Sequence, residues 1–342
     1  MGRVPRTVLL LLVTGISLYL VFPSLLQVLS AWPQLKTLEP LWFIAMVVAE
    51  ALSFVALWVL QRLALRTDDT YAVATSQLAG NAFGRIVPGG GAAAGALQYK
   101  MLVQSGTPGG TAASGLTASS LLVFAVLLAL PVFALPAVIR GVVSTSNHLV
   151  IAALAGMVLF AAMFAVGAVL LSVDGTLAWV GRVVQRIRNR VWHRREPMTN
   201  LPGRLLAERD LILGVLGARW WEALLATMGR WFFDYLALVA ALAAVGTTIP
   251  RPSLVLLAFV AAQLLSQIPL TPGGLGFVEA GLTGTLALAG VPGGAAVVVS
   301  LAYRLASYWL PLPAGLAAWI MHRRRYGGDT EPGDADPQPD LA

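Results

Sequence analysis

The chain of 342 residues contains no cysteine. Disulfides, thiolate zinc sites and cysteine nucleophiles are therefore excluded. Histidine is nearly as scarce: His148, His193 and His322 are far apart and fall in expected loops or helix ends, which argues against a histidine metal cluster. Lysine occurs twice, at Lys36 and Lys100, and neither follows a glycine, so there is no Gly-x-x-x-x-Gly-Lys-Ser/Thr loop to cradle a nucleotide. His-Glu-x-x-His and Gly-x-Ser-x-Gly are missing as well. Charge itself is the largest shortage: 11% of residues are charged and 58% are hydrophobic, against roughly 25% charged in a soluble domain. These absences rule out an ordinary globular enzyme, and neither catalysis nor a cofactor is expected.

What the chain has instead is long apolar runs. A helix needs about 20 mainly apolar residues to cross hydrocarbon, and such runs lie near 8–29, 41–61, 111–139, 149–172, 223–246 and 296–321. The first follows Arg3 and Arg6 as a signal peptide would, but it is long for one and no small-x-small cleavage site follows, so it is read as an uncleaved span. Arginine sets the orientation. With the N-terminus inside, the inner segments hold Arg3, Arg6, Arg62, Arg66, eight arginines between 182 and 209, and Arg323, Arg324 and Arg325, whereas the outer loops hold only Lys36, Arg140 and Arg251. Both termini are expected in the cytoplasm of a plasma-membrane protein. The basic loop at 173–210 is read as lying against anionic headgroups and not as a nucleic-acid patch. The tail at 327–342 carries five acids with Pro and Gly and is expected to be disordered.

Two apolar stretches, 71–105 and 253–290, are broken by Pro-Gly-Gly, at Pro88-Gly89-Gly90 and Pro272-Gly273-Gly274. Proline removes a donor and glycine costs backbone entropy, so each stretch reads as two short helices joined at a break. Re-entrant hairpins are the natural outcome, and two further spans in 253–290 are the alternative. Irregular backbone at that depth needs protein cover or a water-filled cavity. Pro88 and Pro272 lie 184 residues apart, and the same shift carries Glu50 onto Asp234. Units 41–139 and 223–321 thus share the order span, broken hairpin, span. Because the first begins outside and the second inside, they form an inverted-topology repeat, the plan of many transporters. The fold class is all-α: six spans and two re-entrant hairpins (or eight spans) in a membrane domain covering 1–326.

Polar groups within such segments are expensive and mark function by default. Gln77, Asn81 and Arg85 make one stripe, Gln263, Gln267 and Thr271 a second, Glu279 and Thr283 a third, and Ser300, Arg304 and Tyr308 a fourth. All four are expected to converge on one cavity, with interhelical hydrogen bonding as the plainer role for the Gln, Ser and Thr. Glu279 and Arg304 are expected partners. Glu50 and Asp234 are candidates for proton coupling. Arg219, Arg230, Trp220, Trp221 and Trp231 are read as interface anchors, and Lys100 is placed near the cytoplasmic face or in the cavity. Helices are expected to start just after Gly90 and Gly274, and their free N–H groups, with Arg85 and Arg304 nearby, suit a phosphate or phosphodiester headgroup.

The segment Thr271-Pro272-Gly273-Gly274-Leu275-Gly276-Phe277-Val278-Glu279, then Gly290-Val291, Tyr303-Arg304 and Pro313-Ala314-Gly315, resembles the lysylphosphatidylglycerol synthase transmembrane-region family. Asn81 followed by Pro88 resembles that family's first motif. Where many members continue with Gly-Glu and then Arg, this chain has Gly91-Ala92-Ala93-Ala94-Gly95, with Lys100 the next charge. The resemblance implies a flippase-like translocase of a phospholipid or lipid-linked headgroup. Its substrate would touch Asn81, Arg85, Pro88, Gly89, Gly90, Pro272, Gly273, Gly274, Gly276, Glu279, Tyr303 and Arg304. An anionic or aminoacylated phospholipid is the implied partner. The chain ends shortly after its last apolar run, so the soluble synthase domain is expected to be missing and a separate synthase to be a partner. A secondary transporter of a small solute and a non-transporting partner of an envelope-lipid enzyme are the rival readings.

Overall fold

A computed structural model describes residues 39–87, 90–134, 174–191, 219–267 and 271–327, with residues 136, 137, 158, 199, 200, 202, 203, 206 and 210 standing alone among them. The expected span at 8–29, nearly all of that at 149–172, the tail from 328, and Pro88 and Gly89 lie outside the described residues. Within them the chain is helical: α1 Pro40–Leu65, α2 Thr70–Ile86, α3 Gly90–Gln104, α4 Gly109–Ala129 with a 3-10 turn to Ala134, α5 Asp174–Val191, α6 Trp220–Ala244, α7 Pro252–Ser266, α8 Phe277–Leu288, α9 Gly293–Arg304 and α10 Pro311–Tyr326. A π-helical turn, Leu305–Trp309, joins α9 to α10. The helices at Pro40–Leu65, Gly109–Ala134, Trp220–Ala244 and Gly293–Tyr326 are long and apolar enough to cross a membrane, and the protein is an all-α, multi-pass membrane protein.

Three expectations change. The basic segment at 173–210 is not simply a loop, because it contains the helix α5. The last run is not a plain helix over 296–321: it extends from Gly293 to Tyr326 and carries the π turn. The helix after the second break starts at Phe277 instead of after Gly274, because Gly273, Gly274 and Gly276 all take positive φ.

The order long helix, short helix, break, short helix, long helix occurs twice, in α1–α4 and again from α6 onward. The short helices have 17, 15, 15 and 12 residues. At 1.5 Å per residue none reaches the roughly 30 Å of a hydrocarbon core. α2 ends where its sequence requires: Val87, just before a proline, is extended (φ −88°, ψ 135°).

The first helices of the two halves, α1 and α6, pack along each other, and the Ser53 hydroxyl donates to the Arg230 carbonyl at 3.0 Å. Trp231 is 2% exposed, donates through Nε1 to the Val123 carbonyl at 2.9 Å and meets Phe259 edge-on. Around it Met46, Leu238, Leu282 and Leu286 form the main core, drawn from both halves of the chain.

α2 is gripped on two sides by small residues, the usual device where helices associate without a hydrophobic driving force. A Cβ on Gly84 would stand 2.6 Å from the Gly90 carbonyl oxygen of α3. On the other side, a Cβ on Gly315 of α10 would strike the Ala82 methyl and stand 2.5 Å from the Leu78 carbonyl oxygen. One end of this three-helix unit is tied by polar groups. Thr75 Oγ1 and His322 Nδ1 are 2.7 Å apart, and His322 Nε2 lies 3.0 Å from the Met101 carbonyl. Asp69 caps α2 by accepting from the Ala72 N–H at 2.9 Å, and it also accepts from the Tyr326 hydroxyl at 2.6 Å.

Partial burial pushes the Asp69 carboxyl up. The Tyr326 hydroxyl, the Ala72 N–H and Arg325 together outweigh it and hold the carboxyl below its ordinary value. A depressed pKa contributes stability above the unfolded value of about 3.9, and that contribution is lost as pH falls through the lower folded value. Asp69→Asn, which keeps a capping oxygen, is therefore expected to unfold at a lower temperature than wild type at neutral pH. The gap should close below about pH 4; thermal unfolding in detergent across pH 3–8 checks it.

Candidate functional site

The sequence puts polar residues on one side of each broken segment, and the fold turns most of those sides toward a cavity of about 210 Å³. Asn81 and Arg85 reach it from α2, Glu50 and Ser53 from α1, Arg230 and Asp234 from α6, and Gln263 and Gln267 from α7. Gly273 of the second break, Tyr303 and Arg304 of α9, and Ser307 and Tyr308 of the π turn also line it.

The two acids aligned by the 184-residue shift meet here. Asp234 is 5% exposed and accepts from the Tyr303 hydroxyl at 2.5 Å and from Gln263 Nε2 at 3.1 Å. Glu50 is 8% exposed, lines the same cavity as Asp234, and its Oε2 has no protein partner.

Arg304 faces the second break. Its Nε donates to Glu279 Oε1 at 2.6 Å and its Nη2 to the Gly273 carbonyl at 3.0 Å. The expected Glu279–Arg304 pair is present. Glu279 itself does not line the cavity; it sits in the first turn of α8, where the helix dipole favours an anion. The protein's own carboxylate thus takes the seat expected for a phosphate at that helix start. Gly273 has φ +59°, and a Cβ there would run into the Tyr308 ring, so only glycine fits.

Arg85 serves the π turn. Pro311 has no N–H to offer the Ser307 carbonyl four residues before it. Arg85 Nη1 satisfies that carbonyl at 2.5 Å and the Tyr308 carbonyl at 2.7 Å. The Tyr308 hydroxyl donates back to the Arg85 carbonyl at 3.0 Å. Both guanidinium groups lie against the Tyr308 ring, with Arg304 at 4.4 Å and Arg85 at 5.2 Å from its centre.

Not every expected residue arrives. Gly90, Gly274 and Gly276 do not line the cavity, Pro272 belongs to the 3-10 turn of the break, and Pro88 and Gly89 are outside the described residues. Gln77 turns to accept from Trp58 Nε1 at 3.1 Å, and Thr283 bonds Ser300 at 3.0 Å, so these act as interhelical ties. Lys100 is exposed and does not reach the cavity. Trp220 and Trp221 are exposed and Arg219 pairs with Glu222 on the surface, but Arg230 and Trp231 are not anchors: Arg230 stacks on Trp231 at 4.1 Å and both line the cavity. The signal for Arg230 was its place four residues before Asp234, on the same helix face.

Among the described residues, the buried side-chain atoms without a protein partner include Glu50 Oε2, Asn81 Oδ1 and Arg230 Nη1, all from cavity-lining residues. Buried polar atoms are rarely left unpaired, so this wall is built to meet further polar groups.

A UPF0104 membrane protein of Methanothermobacter thermautotrophicus is 32% identical over 99 residues, 29% of this chain and 28% of that protein. The similarity thus spans less than a third of that relative's length. The model of the family described as lysylphosphatidylglycerol synthase TM region matches residues 8–315, and the chain belongs to that family.

Proposed function

We propose that this protein is a non-enzymatic translocase that moves a phospholipid or lipid-linked headgroup across the plasma membrane, with the polar cavity as the headgroup's seat. The observation that carries the reading is the set of buried, unpartnered polar atoms on Glu50, Asn81 and Arg230 among otherwise apolar membrane helices. Ions at such depth are costly to keep and mark pathways for charged cargo. Arg85, Arg230 and Arg304 suit a phosphodiester, although Arg85 and Arg304 also brace the two breaks. The family's link to lysylphosphatidylglycerol supports a lipid cargo. The repeated order of elements supports two inverted halves moving about the cavity between them. Glu50 and Asp234, both in the cavity wall, are the coupling acids.

Proteoliposomes carrying a fluorescent phospholipid test this. Wild type is expected to expose the inner-leaflet probe to a membrane-impermeant quencher at least ten times faster than empty vesicles, with Glu50→Gln and Arg230→Gln near background. Wild-type rates equal to those of empty vesicles overturn the proposal. Uptake of a small solute without lipid movement would assign the cavity to a secondary transporter.

A further inference from the structure

A second cavity, of about 240 Å³, adjoins the first and differs from it in character. It is an apolar groove between α1 and the start of α10, walled by Ala51 and Val55 of α1, Leu78 of α2, and Leu310, Pro311 and Ala314 at the other side. The Trp58 indole in its wall has its N–H taken by Gln77. Glu50 is the one charged residue of this lining, and Glu50 and Phe54 line the polar cavity as well. The groove's outer wall lies on the protein's exterior: Val55 is 44% and Leu310 40% exposed, and Ala51 and Ala314 are exposed too.

We infer that this groove is a binding site for a hydrocarbon chain, either acyl or isoprenyl, of the lipid whose headgroup enters the polar cavity, with Phe54 standing between the two. The inference rests on the headgroup reading above and adds the part of the substrate that a water-soluble solute lacks. Its occupant follows from continuity. A molecule that meets Glu50 from the cavity and leaves past Phe54 must be polar at one end and apolar along the rest, because nothing beyond Glu50 in the groove carries charge. The exposed outer wall lets that chain stay in contact with the bilayer while the headgroup is inside the protein.

Binding to the purified full-length protein, measured in detergent, separates the two parts. The probes are dioctanoyl phosphatidylglycerol and dioctanoyl phosphatidylethanolamine, each paired with its deacylated glycerophosphodiester. Wild type is expected to bind at least one acylated probe tenfold or more tightly than its deacylated form. Ala51→Trp and Ala314→Trp, both exposed positions where a larger side chain has room to fold, should each cut that advantage to within twofold and leave the deacylated affinity unchanged. Leu316→Trp, exposed on the same helix outside the groove, should leave the advantage intact. An advantage that survives both groove substitutions, or is absent from wild type while the deacylated probe binds, overturns the groove and leaves the headgroup seat standing. Binding of none of the four probes overturns both. A benzophenone side chain at Ala314 in proteoliposomes should label lipid chains; crosslinking mainly to residues 8–29 would show that the chain's own first apolar run fills the groove and would overturn the inference.

Discussion

Arg304→Ala is expected to destabilise the protein by about 3–5 kcal/mol, the usual consequence of leaving one member of a buried ion pair alone. Three contacts are lost together: the 2.6 Å bond to Glu279, the 3.0 Å bond to the Gly273 carbonyl and the stacking on Tyr308. The Glu279 carboxylate already has one oxygen without a partner, so its removal from Arg304 leaves a buried charge with nothing to meet it. A second variant separates stability from transport. Arg304→Met with Glu279→Leu replaces both ions by apolar groups of similar volume, and such replacements are often neutral or stabilising. Thermal unfolding of the double variant should recover most of the loss, short of the Gly273 bond and the Tyr308 stacking, whereas lipid movement in proteoliposomes should stay at background because the cavity has lost a guanidinium. Recovery of both would reduce Arg304 to a strut and remove it from the transport pathway.

Gly315→Val should have an effect of comparable size by a different route. The substituent would enter the contact between α10 and α2, where even a single Cβ meets the Ala82 methyl and the Leu78 carbonyl oxygen. Overpacking of this kind costs about 1–3 kcal/mol when neighbours can shift, and here one neighbour is helix backbone. Relief requires α10 to move away from α2. That movement would pull the π turn from Arg85 at one end and Tyr326 from Asp69 at the other. Lower thermal stability and transport at background are the expected results, while Ala317→Val, exposed two residues along, should change stability by no more than about 0.5 kcal/mol. Normal transport by Gly315→Val would mean that the α2–α10 contact is not needed for the cycle.

The elements were legible where local chemistry decides them. A helix that reaches the proline of Pro-Gly-Gly is not continued through it, so both breaks could be placed from the sequence, and the four-residue spacing of Asn81 and Arg85 gave their shared face. What failed depended on distant partners. The start of α8 moved to Phe277 because three glycines take left-handed conformations around Tyr308 and Val278, contacts that composition does not encode. Pro311 and Pro313 were visible, but the carbonyl left over at Ser307 is tolerable only because Arg85, 222 residues earlier in the chain, reaches it. Arg230 and Trp231 look like a membrane-interface pair in sequence; their burial follows from the packing of α6 on α1, where Ser53 holds the Arg230 carbonyl. Gln77 shares the stripe of Asn81 and Arg85, yet the neighbouring Trp58 turns it into a tie between helices.

Tyr308 touches both broken segments at once. Its hydroxyl and ring engage Arg85 from the first, and its ring supports Arg304, which holds the second by the Gly273 carbonyl. Two gates fastened to one pin cannot swing independently: releasing either segment withdraws a partner from the ring that braces the other. The fold therefore contains an interlock, in which loosening one broken segment weakens the brace of the other.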